Sequence, residues 1–474
     1  MNEQNDFFNE PTKDENDLAR SNVPRQKKKK KKILIILLAV LIAVGSFFAG
    51  FFAYSLSLDK EIRTLIRVKN KIQKEYYQEV SDEAFYNAIF SSVENAKNSG
   101  YCTSEEAFYE AVFAGVNNGV LDEYSQYLTE EEFEALRVQS TGKQAGIGVY
   151  FLVGQTDLKV SRVAGNSPAE EAGMEKGDEI IAIGVDKTQL QACQNRKELN
   201  TYLATIDEGA SFYLQWRTEK GEVKCEQMQR KDFIENYVFY KTNELSYGFE
   251  GDGAYKAKNV GEPLSYLPSD TAYIKLVQFN GKAHVVFDRA MNLFASQGKK
   301  NLVLDLRGNG GGYMNIMQSI AKYFCKNSRE GTPVAAIADY GEKKQTFAAE
   351  GNRYWSYFST DSRVTVLADN LTASASECLI GCMYAYGVLD YADICLVEEA
   401  NGVAKTYGKG IMQTTYNILG GGGLRLTTAE IYWPTQTPIS IHGVGVSKAN
   451  GTKTVSSSLT FHEQTRVAIE KLGV

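Results

Sequence analysis

Histidine is almost missing from this chain: His284, His442 and His462 are the only three among 474 residues. No G-x-S-x-G elbow occurs, so a histidine-based hydrolytic triad fits poorly. The seven cysteines show neither a CxxC nor a Cys/His metal spacing, and the sequence asks for no metal or other cofactor. The loop Arg307–Gly312 lacks the Gly-Lys-Ser/Thr ending of a phosphate loop, and Tyr313 stands where GxGxxG needs its last glycine. Gly408-Lys409 is followed by Gly410 rather than Ser or Thr, so it fails in the same way. The S-x-x-K at Ser57–Lys60 has no S-D-N or K-T-G companion anywhere in the chain, which argues against a penicillin-binding enzyme. Beyond residue 32 the chain carries 43 Lys/Arg against 52 Asp/Glu. Such an acidic body excludes nucleic acid as an expected partner, because phosphate binding needs a basic surface.

What is present is modular. Residues 1–26 are polar and charged, with too little apolar content to order themselves. Lys27–Lys32 precede an uncharged apolar run, residues 33–56, long enough to span a bilayer as a helix. The positive cluster predicts a cytoplasmic tail (1–32), a single-pass anchor (33–56) and an extracytoplasmic remainder in the cell membrane. Helical spacing predicts helices over 58–80, 82–97, 104–118 and 130–137, making 57–141 a helical region. Thr103 with Glu106 and Thr129 ahead of Glu130 read as helix caps. Residues 121–128 read as a turn, and 244–268 and 340–362 as excursions without periodicity.

Composition shifts at Gly142. Up to residue 232, short strands alternate with Gly/Asp turns, with strands expected from Gly146 and at 158–160 and a helix at about 196–206. The segment Ser167–Ile180, SPAEEAGMEKGDEI, resembles a PDZ domain. That resemblance implies peptide binding at Gly146, Ile147, Gly148 and Val149, whose backbone N–H groups would take a C-terminal carboxylate. The peptide would then pair beside Val149–Leu152.

Residues 233–474 read as α/β with buried strands at 272–277, 301–306 and 364–368. The last runs through Asp369-Asn370 into a helix that opens with small residues, Ala373–Ser376. A hydroxyl there lies beside unpaired N–H groups at the positive end of a helix, where an oxyanion can be held. Ser374 with Glu377 also fits a capping box, a purely structural role. Lys409 follows between two glycines, with Gln413 four residues on. A lysine can serve as a base when burial lowers its pKa far below about 10.4.

Taken in order, YSQYLTEEEF, the PDZ-like segment, YIKLVQFN, LVLDLRGNGGG, TASASE, YGKGIMQ, LRLTTAEIYWPT and IHGVGV resemble the carboxy-terminal processing (tail-specific) serine peptidases, family S41. The resemblance implies an α/β, crotonase-like (ClpP/crotonase-type) core with a PDZ domain and an N-terminal helical region, preceded by one transmembrane helix. It implies Ser374 as nucleophile, Lys409 as general base and Gln413 as the group positioning the lysine. The oxyanion donors would be the N–H groups of Ala375 and of Gly310 or Gly311. Substrates would be proteins or peptides with exposed C-termini. A homo-oligomer is compatible with the sequence but not specified by it. Thr372 in place of a common serine, and Ser447-Lys448 in place of Pro-Asp, bear on specificity. A catalytically silent PDZ scaffold at the cell surface, or a ligand-binding protein on the same core, are the alternatives from other classes.

Overall fold

The computed structural model describes residues 59–152, 156–207, 209–327 and 333–474. The apolar run 33–56 and the tail before it lie outside them. Among the described residues no helix is long and apolar enough to cross a membrane. Residues 59–63 hold only the first turn of a helix, and the chain from Thr64 onward packs as one unit.

Three helices come first: α1 (Lys60–Glu75), α2 (Asp82–Asn98) and α3 (Glu105–Gly119). The cap of α3 is Ser104, whose Oγ accepts the Ala107 N–H at 3.1 Å, and not Thr103. Ser104 adopts the extended backbone that a cap requires, one residue later than the spacing alone suggests. The expected turn at 121–128 ends in a short strand, β1 (Gln126–Leu128), and α4 (Glu130–Ser140) follows. At α4 the box is complete: Thr129 accepts from Glu132, and the Glu132 carboxylate accepts the Thr129 N–H.

Residues 147–230 form an excursion closed at its neck, where strands Lys143–Gly146 and Lys231–Ile234 pair antiparallel. Inside it a four-stranded sheet packs on the helix α5 (Arg196–Ala204), around a core that includes Ile180, Leu199, Phe212 and Trp216. The strand expected from Gly146 is broken at Gly148, whose φ of +78° turns the chain into the Val149–Tyr150 pair with Arg162–Val163. A side chain at residue 148 would meet Ser167 Cβ at 2.1 Å, so this turn needs glycine. The expected strand at 158–160 is only an isolated bridge between Lys159 and Glu179.

The remaining chain builds a mixed eight-stranded sheet. Its strands are β2 (Val238–Lys241), β3 (Ser246–Phe249), β4 (Ala257–Asn259), β5 (Thr271–Leu276), β6 (Asn301–Asp305), β7 (Val364–Ala368), β8 (Ile394–Glu398) and β9 (Lys453–Ser456). The order is β4-β3-β2-β5-β6-β7-β8-β9, antiparallel up to β5 and parallel from β5 onward. β3 and β4 lie within 244–268, where no strands were expected: their pairing partners, not a period in the sequence, make them strands.

Helices α6 (Ala283–Ser296), α7 (Met314–Ala321) and α8 (Ala375–Ala385) cover one face, and α9 (Phe461–Leu472) covers the other. Leu302 and Leu304 therefore point to the first core and Val303 to the second. Burial on both faces explains why the parallel strands read as continuous apolar runs. A long hairpin, Ile411–Asn417 with Gly423–Trp433, anchors a second sheet that also holds β1, Val334–Asp339 and Lys344–Ala348. This sheet supplies the strand missed in 340–362. Ile418, Leu424 and Leu426 of the hairpin region pack on α1, α2 and α3, which brings residues near 125 against residues near 427.

Candidate active site

Ser374 closes the turn between β7 and α8 with φ +56° and ψ −117°. A non-glycine residue there stores about 1–3 kcal/mol of strain, and its neighbours must hold it. A normal helix cap sits in extended backbone, which this residue does not adopt. Its hydroxyl faces the Glu377 N–H as in a capping box but makes no well-formed capping hydrogen bond, whereas Glu377 Oε2 accepts the Ser374 N–H at 2.9 Å. The residue holds the helix-capping place without performing the capping role.

Glu377 does something the sequence reading missed. Fully buried, it accepts four donors: Ser374 N–H, Gly408 N–H, Lys409 N–H (each 2.9 Å) and Thr406 Oγ1 (2.5 Å). One carboxylate thus ties the serine turn to the lysine loop, across about 30 residues of chain. Burial lifts its carboxyl above the usual range, while these donors pull it back down. The change Glu377→Gln sets an NH₂ group against buried donors. We expect it to cost about 1–3 kcal/mol of stability, read in a thermal melt, and to lower activity through misplacement of residues 374 and 409.

The Arg307–Gly312 loop is sewn to the same turn. Ala373 N–H and Ser376 Oγ both donate to Asn309 O, at 3.0 and 2.9 Å, and Gly308 N–H donates to Asp369 Oδ1 at 2.8 Å. Gly311 has φ +99°, and a Cβ there would meet Ala373 O, Ser374 Cβ and Ala375 N at 2.8–2.9 Å. Its N–H, however, donates to Asn309 Oδ1 at 2.9 Å. Gly311 is therefore a close-approach residue whose N–H is already engaged. That leaves Gly310, exposed and lining the cleft, as the glycine to pair with Ala375.

Beneath the loop lies a buried ionic cluster. Arg307 grips Asp305 through Nη2 at 2.6 Å, Tyr273 OH donates to Asp305 at 2.5 Å, and Lys275 Nζ stands 3.3 Å away. Burial alone would raise the Asp305 carboxyl, but Arg307 and Lys275 hold it well below the usual carboxylate range. Arg307 also reaches Thr465 Oγ1 at 2.6 Å and stacks over Phe461, pinning the loop to α9. The Asp-Leu-Arg at a strand end was the available signal, but only the fold reveals its partners.

Lys409 Nζ donates to Gln413 Oε1 at 2.6 Å and lies 4.7 Å from the centre of the Tyr124 ring. Gln413 Nε2 donates in turn to Thr427 Oγ1 at 3.0 Å, and Thr427 is held by Ser125 through its backbone N–H at 2.8 Å. Gln413 is thus fixed as an acceptor toward the lysine. Burial, with the like charge of Arg425, lowers Lys409 to about 8, against partial opposition from Asp122, Glu123 and Glu377. Ser374, Lys409, Gln413, Gly310 and Cys378 line one cleft of about 370 Å³. No hydrogen bond joins Ser374 Oγ to Lys409 Nζ in this ligand-free arrangement, and such bonds often tighten only around substrate. Tyr124, Ser125 and Thr427 lie in YSQYLTEEEF and LRLTTAEIYWPT, some 300 residues apart, so their meeting is a tertiary result.

Gly146, Ile147, Gly148 and Val149 lie away from this cleft, at the neck of the excursion. Ile147 is buried, and the carbonyls of Ile147 and Gly148 accept from Ala169 and Ala164. Arg196 of α5 lies beside Phe151 and Leu152, which follow the Val149–Tyr150 strand.

The α/β core thus presents a strained serine at a helix start, and a half-buried lysine lines the same cleft. Residues 270–448 match the model of peptidase family S41. The carboxyl-terminal-processing protease of a Picosynechococcus strain is 29% identical over 327 residues, covering 68% of each chain. That of a Synechocystis strain is 28% identical, covering 69% of this chain and 67% of its own. A solved structure from Bacteroides fragilis, assigned to the S41 proteases, superposes with a TM-score of 0.51 at 17% identity over 86% of this chain, sharing the fold. The chain is a serine-type peptidase. Its residues 270–448 carry the match to peptidase family S41, and the chain is similar to the carboxyl-terminal-processing proteases.

Proposed function

We propose that this protein is a membrane-anchored, extracytoplasmic endopeptidase that uses a Ser374/Lys409 pair and recognises substrates through their C-termini. The observation that carries the reading is the convergence of Ser374, Lys409 and Gln413 on one cleft, with Glu377 bridging the serine turn and the lysine loop. Neutral Lys409 takes the Ser374 proton as Oγ attacks the scissile carbonyl. The N–H groups of Ala375 and Gly310 hold the oxyanion. The protonated lysine returns its proton to the leaving amine, and water then hydrolyses the acyl-enzyme. Apolar side chains of Met314, Ile411 and Ile431 on the cleft wall suit an uncharged residue at the cut.

The excursion 147–230, read as a PDZ domain, would capture the tail. Support comes from its contact with the core: Glu175 pairs with His462 of α9 at 3.0 Å, and the same helix binds Arg307, three residues before Gly310. Tail binding could reach the oxyanion loop along this route. The anchor is proposed from Lys27–Lys32 and the run 33–56.

The test is digestion of one unfolded protein by the full-length chain, with its C-terminus free or fused to a folded domain. The free-tailed form should be cut several-fold faster. Equal rates on both would reject tail recognition, and no cleavage of either would reject the endopeptidase reading.

A further inference from the structure

Arg425 is a partly buried cation whose innermost nitrogen lacks a partner. Its Nε is buried with no hydrogen-bond partner, and among the described residues no carboxylate pairs with its guanidinium. A partly desolvated cation with no counter-ion beside it favours the approach of an anion.

Register sets where the side chain goes. In the Ile411–Asn417/Gly423–Trp433 hairpin, Gln413 lies opposite Thr427 and Thr415 opposite Arg425. Alternate residues of a strand share a face, so Arg425 projects from the face on which Gln413 holds Lys409. Arg425 and Ser374 accordingly line the same cleft of about 370 Å³.

Arg425 also lines a second, broader cavity of about 1560 Å³ between α4 and the neck of the excursion. Leu136, Gln139 and Arg425 are common to both walls, so the two spaces meet at this arginine. The rim of the broad cavity carries Glu130, Glu131, Glu132 and Glu134. A chain entering through the broad cavity passes an acidic rim and then meets a single unpaired cation beside the reacting groups.

We propose that Arg425 receives a carboxylate of the bound substrate, either its C-terminal α-carboxylate or an Asp/Glu side chain close to the scissile bond. The guanidinium fork matches a carboxylate in a bidentate pair, which fixes position as well as charge. A carboxylate held at this one point selects which peptide bond lies over Ser374. The proposal deepens the assignment of the Ser374/Lys409 cleft as the peptidase site and rests on it.

The test uses the full-length protein and peptides of one cleavable sequence: the free acid, its C-terminal amide, and versions with each nearby Glu changed to Gln. Wild type should show kcat/KM about 10- to 100-fold higher for the acidic member of the decisive pair. Loss on amidation identifies the α-carboxylate as the ligand, and loss on a Gln change identifies the side chain. In Arg425→Ala the ratio should collapse to about one, and in Arg425→Lys it should recover in part. Arg425→Glu should instead favour a peptide bearing Lys at the decisive position. Because each ratio is taken within one enzyme preparation, partial unfolding of a variant does not move it. Equal wild-type rates on acidic and neutral peptides would overturn the proposal, as would a ratio unchanged by Arg425→Ala. Failure of wild type to cut any of these peptides or an unfolded protein would reject the peptidase assignment itself, and the proposal with it.

Discussion

Ser374→Ala is expected to remove cleavage of an unfolded protein, lowering kcat/KM by at least about 10³-fold. Its thermal melt should stay where it is. The two readings of this serine make opposite predictions for stability. A capping serine contributes about 1 kcal/mol through its hydroxyl, so alanine would destabilise the helix. Here the hydroxyl makes no well-formed capping bond, and Glu377 holds the Ser374 backbone N–H whatever the side chain. The backbone remains at φ +56° in the variant, kept there by Asn309 and Glu377. Lost activity with an unchanged melt supports the nucleophile. Retained activity, or a melt lowered as a lost cap would lower it, would show that the reacting hydroxyl lies elsewhere.

The second large effect concerns Lys409. Lys409→Met keeps the stem and removes the amine, and should lower kcat/KM by about 10²–10⁴-fold. The sign of the pH dependence follows from which form reacts. Only the neutral amine accepts the Ser374 proton, and burial with Arg425 nearby lowers Lys409 to about 8. Wild-type activity should therefore rise with pH through about 8 and then level, and be lost as pH falls below it. The variant should lose that rising limb. Stability also rises with pH, over the range just above. A lysine held below its unfolded pKa binds its proton less well when folded, so its charge opposes folding at neutral pH. That penalty fades as pH rises from about 8 toward the unfolded value of about 10.4. Lys409→Met is accordingly expected to melt no lower than wild type at pH 7. A pH–rate profile of the same shape in wild type and variant would remove Lys409 from the base role.

Both expectations depend on groups that the sequence does not name as partners. Glu377 reads as half of a capping box, because Ser-x-x-Glu is a local pattern and capping is its commonest use. The role found for it needs Thr406, Gly408 and Lys409, which only the return of the chain after β8 brings within 2.9 Å. Gly310 and Gly311 are equal candidates in a row of glycines. The Asn309 side chain separates them by taking the Gly311 N–H.

The sequence by itself determined what depends on near neighbours. The buried parallel strands, the helix after Ser374 and the Thr129 cap can all be read from adjacent residues. Propensity, capping and side-chain period act over a few positions, so they are written in order along the chain. Tertiary structure decided the backbone twist at Ser374, the acidity of Lys409, the engagement of the Gly311 N–H by Asn309, and the lack of a partner for the Arg425 Nε. Each of these is set by burial or by hydrogen bonds that the folded chain makes. Desolvation and long-range partners exist only once the sheets have closed, and no local pattern in the sequence records them.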